Sequence, residues 1–114
     1  MSSERRSIYD LHWSKGEKKI AQAAYDKALA REMAAIRKEV EALLQRSEDP
    51  RQVWEIHRFL SGKDREIAEK YDYRYSQLII VFCRLVREGW LAESELSGLA
   101  PEKIEKIRGL LAIR

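Results

Sequence analysis

Apolar side chains recur through the first half of the chain at Tyr25, Leu29, Met33, Ile36, Val40 and Leu43, in steps of 4, 4, 3, 4 and 3. Such steps keep side chains on one stripe of an α-helix. The residues between them are mostly Ala, Lys, Glu, Arg and Gln, good helix formers, and no proline precedes Pro50. Ser14 and Glu17 have the spacing of a capping box, in which each side chain accepts from the other's backbone amide. One long helix from Ser14 to Ser47 is predicted, charged on the face opposite the stripe, with a bend near Arg31 as the competing reading. About 33 residues at 1.5 Å each make a rod of roughly 50 Å, whereas a compact chain of this size has a radius of gyration of about 13 Å. The rod overhangs its own domain, and a second copy related by a two-fold axis is the simplest cover for its stripe.

Met1 to Trp13 read as a short polar arm. Beyond the rod, Asp49 can cap a second helix, with Pro50 at its first position and Gln52 completing the box. Ser61 and Gly62 read as a stop, and Asp64 as a restart. The restarted helix is expected to be exposed as far as Asp72 and buried from Tyr73 to Glu88, with Gly89 closing it. Leu78 to Cys83 could pass for a strand, but Tyr71, Tyr75, Leu78, Phe82 and Leu85 share a helical face. A short turn around Glu93 to Ser97 follows, and then a last helix from Pro101 carrying Ile104, Ile107, Leu110 and Leu111. No useful length alternates with period two. The expected fold is all-α, a single domain over residues 1–114, with an arm at 1–13, a stem at 14–72 and a helical head at 73–114.

The segment Val53 to Leu60 is apolar around more than an ordinary stripe. Trp54, His57 and Arg58 fall together at i, i+3 and i+4, and Trp with Arg is the composition of binding hot spots. The bland alternative puts Trp54 in the core and leaves His57 bonded locally. Charge adds little: 22 Lys and Arg against 19 Asp and Glu give +3, with the signs interspersed, which disfavours a phosphate-binding stripe. A basic nucleic-acid binder using Tyr71, Tyr73, Arg74 and Tyr75 stays a minority reading, and no nucleic-acid partner is expected. His12 and His57 are the only imidazoles, Cys83 is the only thiol, and no metal, phosphate-loop or nucleophile-elbow motif occurs. Neither a cofactor, a metal nor an enzymatic activity is expected. Without a signal-peptide stretch, and with no apolar run longer than six residues, the expectation is a cytoplasmic protein with no integral membrane segment.

Four stretches carry a family resemblance. These are Trp13 and Ser14 with the Ala-rich helix; Trp54, His57, Phe59, Leu60, Ser61 and Lys63; Glu66, Ile67, Lys70, Tyr71, Asp72, Arg74 and Ser76; and Ile79 to Gly89. In these the chain resembles the fluorescence recovery proteins of cyanobacteria. The resemblance implies an antiparallel all-α homodimer with a stem of long helices and a head at each end. It also implies a non-enzymatic regulator that binds light-activated orange carotenoid protein, or another carotenoid-binding protein, through the C-terminal domain of that partner. Such a regulator speeds return to the orange resting form and ends phycobilisome quenching. By the same resemblance, partner contacts fall to Trp54, His57, Arg58, Asp64, Ile80 and Lys106. The dimer interface falls to Leu29, Met33, Ile36, Val40, Val53, Trp54 and His57. Two features depart from the family. An acidic residue followed six positions later by Arg is typical where this chain has Arg58 and Asp64, and an aromatic is typical where it has Ile80. An internal or cross-dimer ion pair would survive the exchanged signs, whereas a contact to a fixed charge on the partner would become repulsion.

Overall fold

The capping box at Ser14 opens the longest element. In this computed structural model, which describes residues 7–113, the Ser14 hydroxyl accepts from the Glu17 amide at 3.1 Å and the Ser14 amide donates to the Glu17 carboxylate at 3.0 Å. Helix α1 then runs without a break through Arg31, from Lys15 to Arg46. Four elements follow: α2 (Gln52–Lys70), α3 (Leu78–Arg87), a 3-10 turn (Glu93–Leu96) and α4 (Pro101–Leu111). The fold is all-α, as expected, with a long-helix stem and a helical head. The chain measures 65 × 25 × 20 Å with a radius of gyration of 17.7 Å, well above the roughly 13 Å of a compact domain.

Three expectations about element limits fail. The stop at Ser61 and Gly62 does not occur, and α2 passes through both. A lone helical glycine costs only about 1 kcal/mol, and Gly62 does not take the positive φ that ends a helix, as only Gly89 does. At the start of α2, Pro50 lies in the preceding turn and Arg51 holds the cap position without a side-chain cap bond. Asp49 accepts instead from the Arg51 amide at 2.9 Å and from its guanidinium, while the Gln52 side-chain carboxamide donates back to the Leu43 carbonyl and ties the hairpin together. The third failure is at 71–77, a connector rather than the middle of a helix. There the Asp72 carboxylate accepts from the Arg74 amide at 3.1 Å and from its guanidinium, a local turn that competes with helical bonding.

The head is also larger than 73–114. Leu11 and Trp13, from the expected polar arm, are buried in its core, together with Ala21, Ala24 and Ala28 of α1. Against these small side chains pack Leu78, Phe82 and Leu85 of α3, Leu91, Leu96 and Leu99 of the connecting segment, and Ile107 of α4. Cys83 is buried with them, its thiol 3.6 Å from the Ile107 carbonyl. Gly89, at φ 84, closes α3. Its amide donates to Val86 at 3.1 Å and the Trp90 amide to Leu85 at 2.9 Å, the bond pair of a Schellman motif.

Two buried lysines tie the elements together. Lys103 of α4 lies 3.0 Å from Glu17, donates to the His12 carbonyl and sits 4.8 Å over the Trp13 ring. Burial alone would raise the Glu17 carboxyl. The amides of Ser14 and Ala100, together with the Lys103 ammonium, outweigh it and hold the carboxyl at about 2. Lys70, the last residue of α2, has a fully buried side chain placed 2.6 Å from Glu32 of α1 and 2.6 Å from Glu88 behind α3. Burial would lower its pKa, but the two carboxylates reverse this and raise it. The Tyr71 hydroxyl donates to Glu32 at 2.9 Å and the Tyr25 hydroxyl to the Tyr71 carbonyl at 2.9 Å. Higher on α1, Arg31 grips Glu95 through two bonds of 2.7 and 2.8 Å.

Lys70→Ala leaves the buried Glu32 carboxylate without its cation, while Glu88 keeps Arg84 at 2.9 Å; losing the partner of a buried charge costs about 3–5 kcal/mol. Arg37→Ala, which breaks only the exposed 3.6 Å pair with Glu41, is expected to cost less than about 1 kcal/mol. Denaturant unfolding at one fixed protein concentration measures both. Glu17 supplies a pH signature. Because its carboxyl is depressed from 4.5 to about 2 in the folded chain, its contribution to stability is complete above the unfolded value and is lost as pH falls from there towards 2. Thermal melts across that window should show a shallower decline in Glu17→Gln than in the parent.

Candidate functional site

Helix α2 and the second half of α1 form an antiparallel hairpin beyond the head. Along all of α2 the only buried residue is Lys70. Ile56, Phe59, Lys63 and Ile67 are half-buried towards α1, at helical steps of 3, 4 and 4. Large apolar side chains stand in solvent on both strands of the hairpin: Met33 at 52% and Leu44 on α1, and Val53 at 56%, Trp54 at 62% and Leu60 on α2. Fully burying a side chain of this size is worth about 1.5–3 kcal/mol, so a complementary surface gains several kcal/mol by covering the group. Between the helices runs an open groove of about 300 Å³, lined by Met33, Ile36, Leu60, Lys63, Asp64 and Ile67. Its chemistry is that of a docking surface, mainly aliphatic, with one lysine and one aspartate on the wall.

The exposed residues of α2 divide into two faces. Val53, His57, Leu60 and Asp64 step by 4, 3 and 4 along one, and Trp54, Arg58, Ser61 and Arg65 step identically along the next. His57 meets Trp54 edge-on across the boundary, with ring centroids 6.4 Å apart. The reading that put Trp54 in the core is therefore wrong.

Met33, Ile36, Val40 and Val53 of the expected interface lie on the hairpin, with Ile36 buried, Val40 half-buried and the other two exposed. Leu29 does not join them, since it packs against the head core. Leu44, four residues after Val40, and Leu60, seven after Val53, are exposed on the same hairpin. Arg58 and Asp64 are six residues apart, hence about 120° apart around a helix of 3.6 residues per turn. Neither forms an ion pair within the chain among the described residues, which removes the internal form of the expected pair. Arg58 instead lines a cleft at the hairpin tip with Ser47, Asp49, Arg51, Gln52 and Glu55.

The two head residues stand apart from this hairpin. Ile80 borders a hollow of about 480 Å³ with Cys83, Arg84, Arg87, Glu88 and Leu110, and Lys106 is half-buried on α4. Of the tyrosines weighed as base-stacking groups, Tyr71 and Tyr73 pack inward, whereas Tyr75 is exposed. Tyr71 and Tyr73 stand edge-on to Tyr25, with centroids 5.3 and 4.7 Å away. Among the described residues no group of three His, Cys, Asp or Glu side chains could hold a metal, and no helix is long and apolar enough to cross a membrane.

Comparison with known proteins agrees with this geometry. The family described as photoprotection regulator fluorescence recovery protein matches residues 13–111. The fluorescence recovery protein of Synechocystis sp. PCC 6803 is 39% identical over 98 residues, which span 86% of this chain and 90% of that protein. The solved structure of the Fremyella diplosiphon fluorescence recovery protein is 42% identical, with a TM-score of 0.80 over 90% of this chain and 100% of that one. The Synechocystis structure has 37% identity and a TM-score of 0.82 over the same shares.

Proposed function

Because the chain belongs to the fluorescence recovery protein family of photoprotection regulators, we propose that it works as an antiparallel homodimer that binds a light-activated carotenoid-binding protein of the orange carotenoid protein type. In doing so it speeds the partner's return to the orange resting form and ends phycobilisome quenching. It acts in the cytoplasm as one domain, stem and head together, without catalysing a covalent step.

The observation that carries this reading is helix α2, on which Val53, Trp54 and Leu60 stand exposed while Ile56, Phe59 and Ile67 are only half-buried and no apolar side chain of its 19 residues is fully buried. A helix so placed gains its stability from a surface outside the protomer. Two hairpins set groove to groove bring the patch of Met33, Ile36, Val40, Val53 and Leu60 against the same patch of the second copy, as a two-fold axis requires. Trp54, His57, Arg58 and Asp64 then serve the partner from the stem, with Ile80 and Lys106 as a second contact area on the head. Regulation follows from selective binding alone. A dimer that holds the compact conformer, or the path to it, more tightly than the activated form shifts the population by that difference. A tenfold acceleration needs only about 1.4 kcal/mol.

The exchanged signs at Arg58 and Asp64 favour a second reading, in which the same dimer acts on a different protein partner whose charges are exchanged to match. Two measurements test these statements. Met33→Glu with Leu60→Glu should convert a dimer seen by light scattering into single subunits while the head's near-ultraviolet signal stays; single subunits in the parent protein at micromolar concentration would overturn the dimer. Photoactivated orange carotenoid protein, followed in the dark, should lose its red form faster when the protein is added. If it does not, and the double variant Arg58→Asp with Asp64→Arg does accelerate the loss, the second reading holds. No acceleration by either chain removes the carotenoid-protein assignment.

A further inference from the structure

The stem arginines divide sharply in what they do. Arg31 pairs with Glu95, Arg37 with Glu41, Arg46 with Glu55 and Arg51 with Asp49. Arg58 and Arg65 are exposed, and neither has an ionic partner among the described residues. They are seven residues apart, two helical turns or about 10.5 Å, and share their face with Ser61 and with Trp54, which is 62% exposed. This face is distinct from the Val53, His57, Leu60 and Asp64 face that borders the aliphatic groove.

We infer that this outer face of α2 docks an acidic helical segment of a protein partner, separately from the face used for self-association. The inference rests on the reading of the stem as a protein-binding element and names the chemistry of what it binds. Each unpaired guanidinium offers a fork of donors matched to a carboxylate. A helix presenting two carboxylates seven residues apart meets both guanidiniums at once. Ser61, small and polar between them, allows the backbones to approach, and Trp54 one turn from Arg58 receives an apolar side chain of the same segment. A tryptophan flanked by arginine is the composition that concentrates binding energy. Nucleic acid fits less well. Phosphate tracking needs continuous positive charge, and Glu55, Asp64, Glu66 and Glu69 interrupt the strip along its borders.

The test uses the full chain and a fluorescein-labelled 18-residue helical peptide with Glu at positions seven apart and Leu one turn before the first. The same peptide with Lys for Glu is the control, and anisotropy reports binding. The acidic peptide should bind at least tenfold more tightly than its control. Arg58→Gln with Arg65→Gln should weaken it at least tenfold, and Trp54→Ala should weaken it too, while light scattering and circular dichroism of all variants stay as in the parent. Equal affinity for both peptides, no binding up to millimolar peptide, or undiminished binding in the arginine variant overturns the inference. So does a 20-nucleotide single strand that binds more tightly than the peptide and loses its affinity in the same variant. Failure here with normal carotenoid-protein recovery leaves the proposed function standing, and single subunits in light scattering with intact peptide binding remove only the dimer.

Discussion

The fold depends on a lysine that two carboxylates hold out of water. Lys70 ends α2, a helix whose other inward residues are only half-buried, and its ammonium sits 2.6 Å from Glu32 and from Glu88. Through Glu32 it joins α1, and through Glu88 it joins α3. Arg84 shares Glu88 at 2.9 Å and Tyr71 shares Glu32 at 2.9 Å, so the lone pairs and protons of the buried group are satisfied rather than stranded. Helix α2 is thereby fixed at its far end by charge and at its near end by the Gln52 bond to Leu43. The apolar middle stays open. Stability of the protomer and availability of the binding surface are thus assigned to different residues of one helix.

That division explains why parts of the structure could be read in the chain and parts could not. Helix α1 was legible because every local signal agreed: a reciprocal cap at Ser14 and Glu17, strong helix formers and no proline. The continuity of α2 was hidden by Ser61 and Gly62, whose modest local cost is overridden by helix formers on both sides. The connector at 71–77 was hidden by tyrosines that happen to fall at helical spacing. Their packing on Tyr25 and the Asp72 turn with Arg74 are long-range and side-chain effects, invisible to periodicity. In the site, the unusual greasiness of Val53 to Leu60 was plain, but no pattern says which residues a neighbouring helix covers. Leu29 illustrates this, since it belongs to the stripe yet is claimed by the head.

The chain belongs to a family of photoprotection regulators, and the stem carries side chains that are neither covered nor paired within the protomer. The surface features are an open aliphatic groove, an exposed indole and unpaired guanidiniums, groups whose favourable free energy comes from being covered or paired. By contrast, the strongly held carboxylates of Glu17 and Glu95, both pulled down to about 2, are bonded to lysine, arginine and backbone amides. They are structural anchors, already engaged within the head and at its border with the rod.

Helix α1 is common property of head and stem. Its first half supplies Ala21, Ala24 and Ala28 to the head core, and its second half carries the hairpin, with no break between them. Two features brace it where the halves meet, the Arg31 grip on Glu95 and the Lys70 junction. A load applied at the hairpin tip therefore reaches the head as torque on a splinted beam instead of dissipating in a joint. The hairpin tip and the α3 and α4 surfaces are thus held apart by one continuous helix of 32 residues, with no hinge in its backbone to let their spacing change.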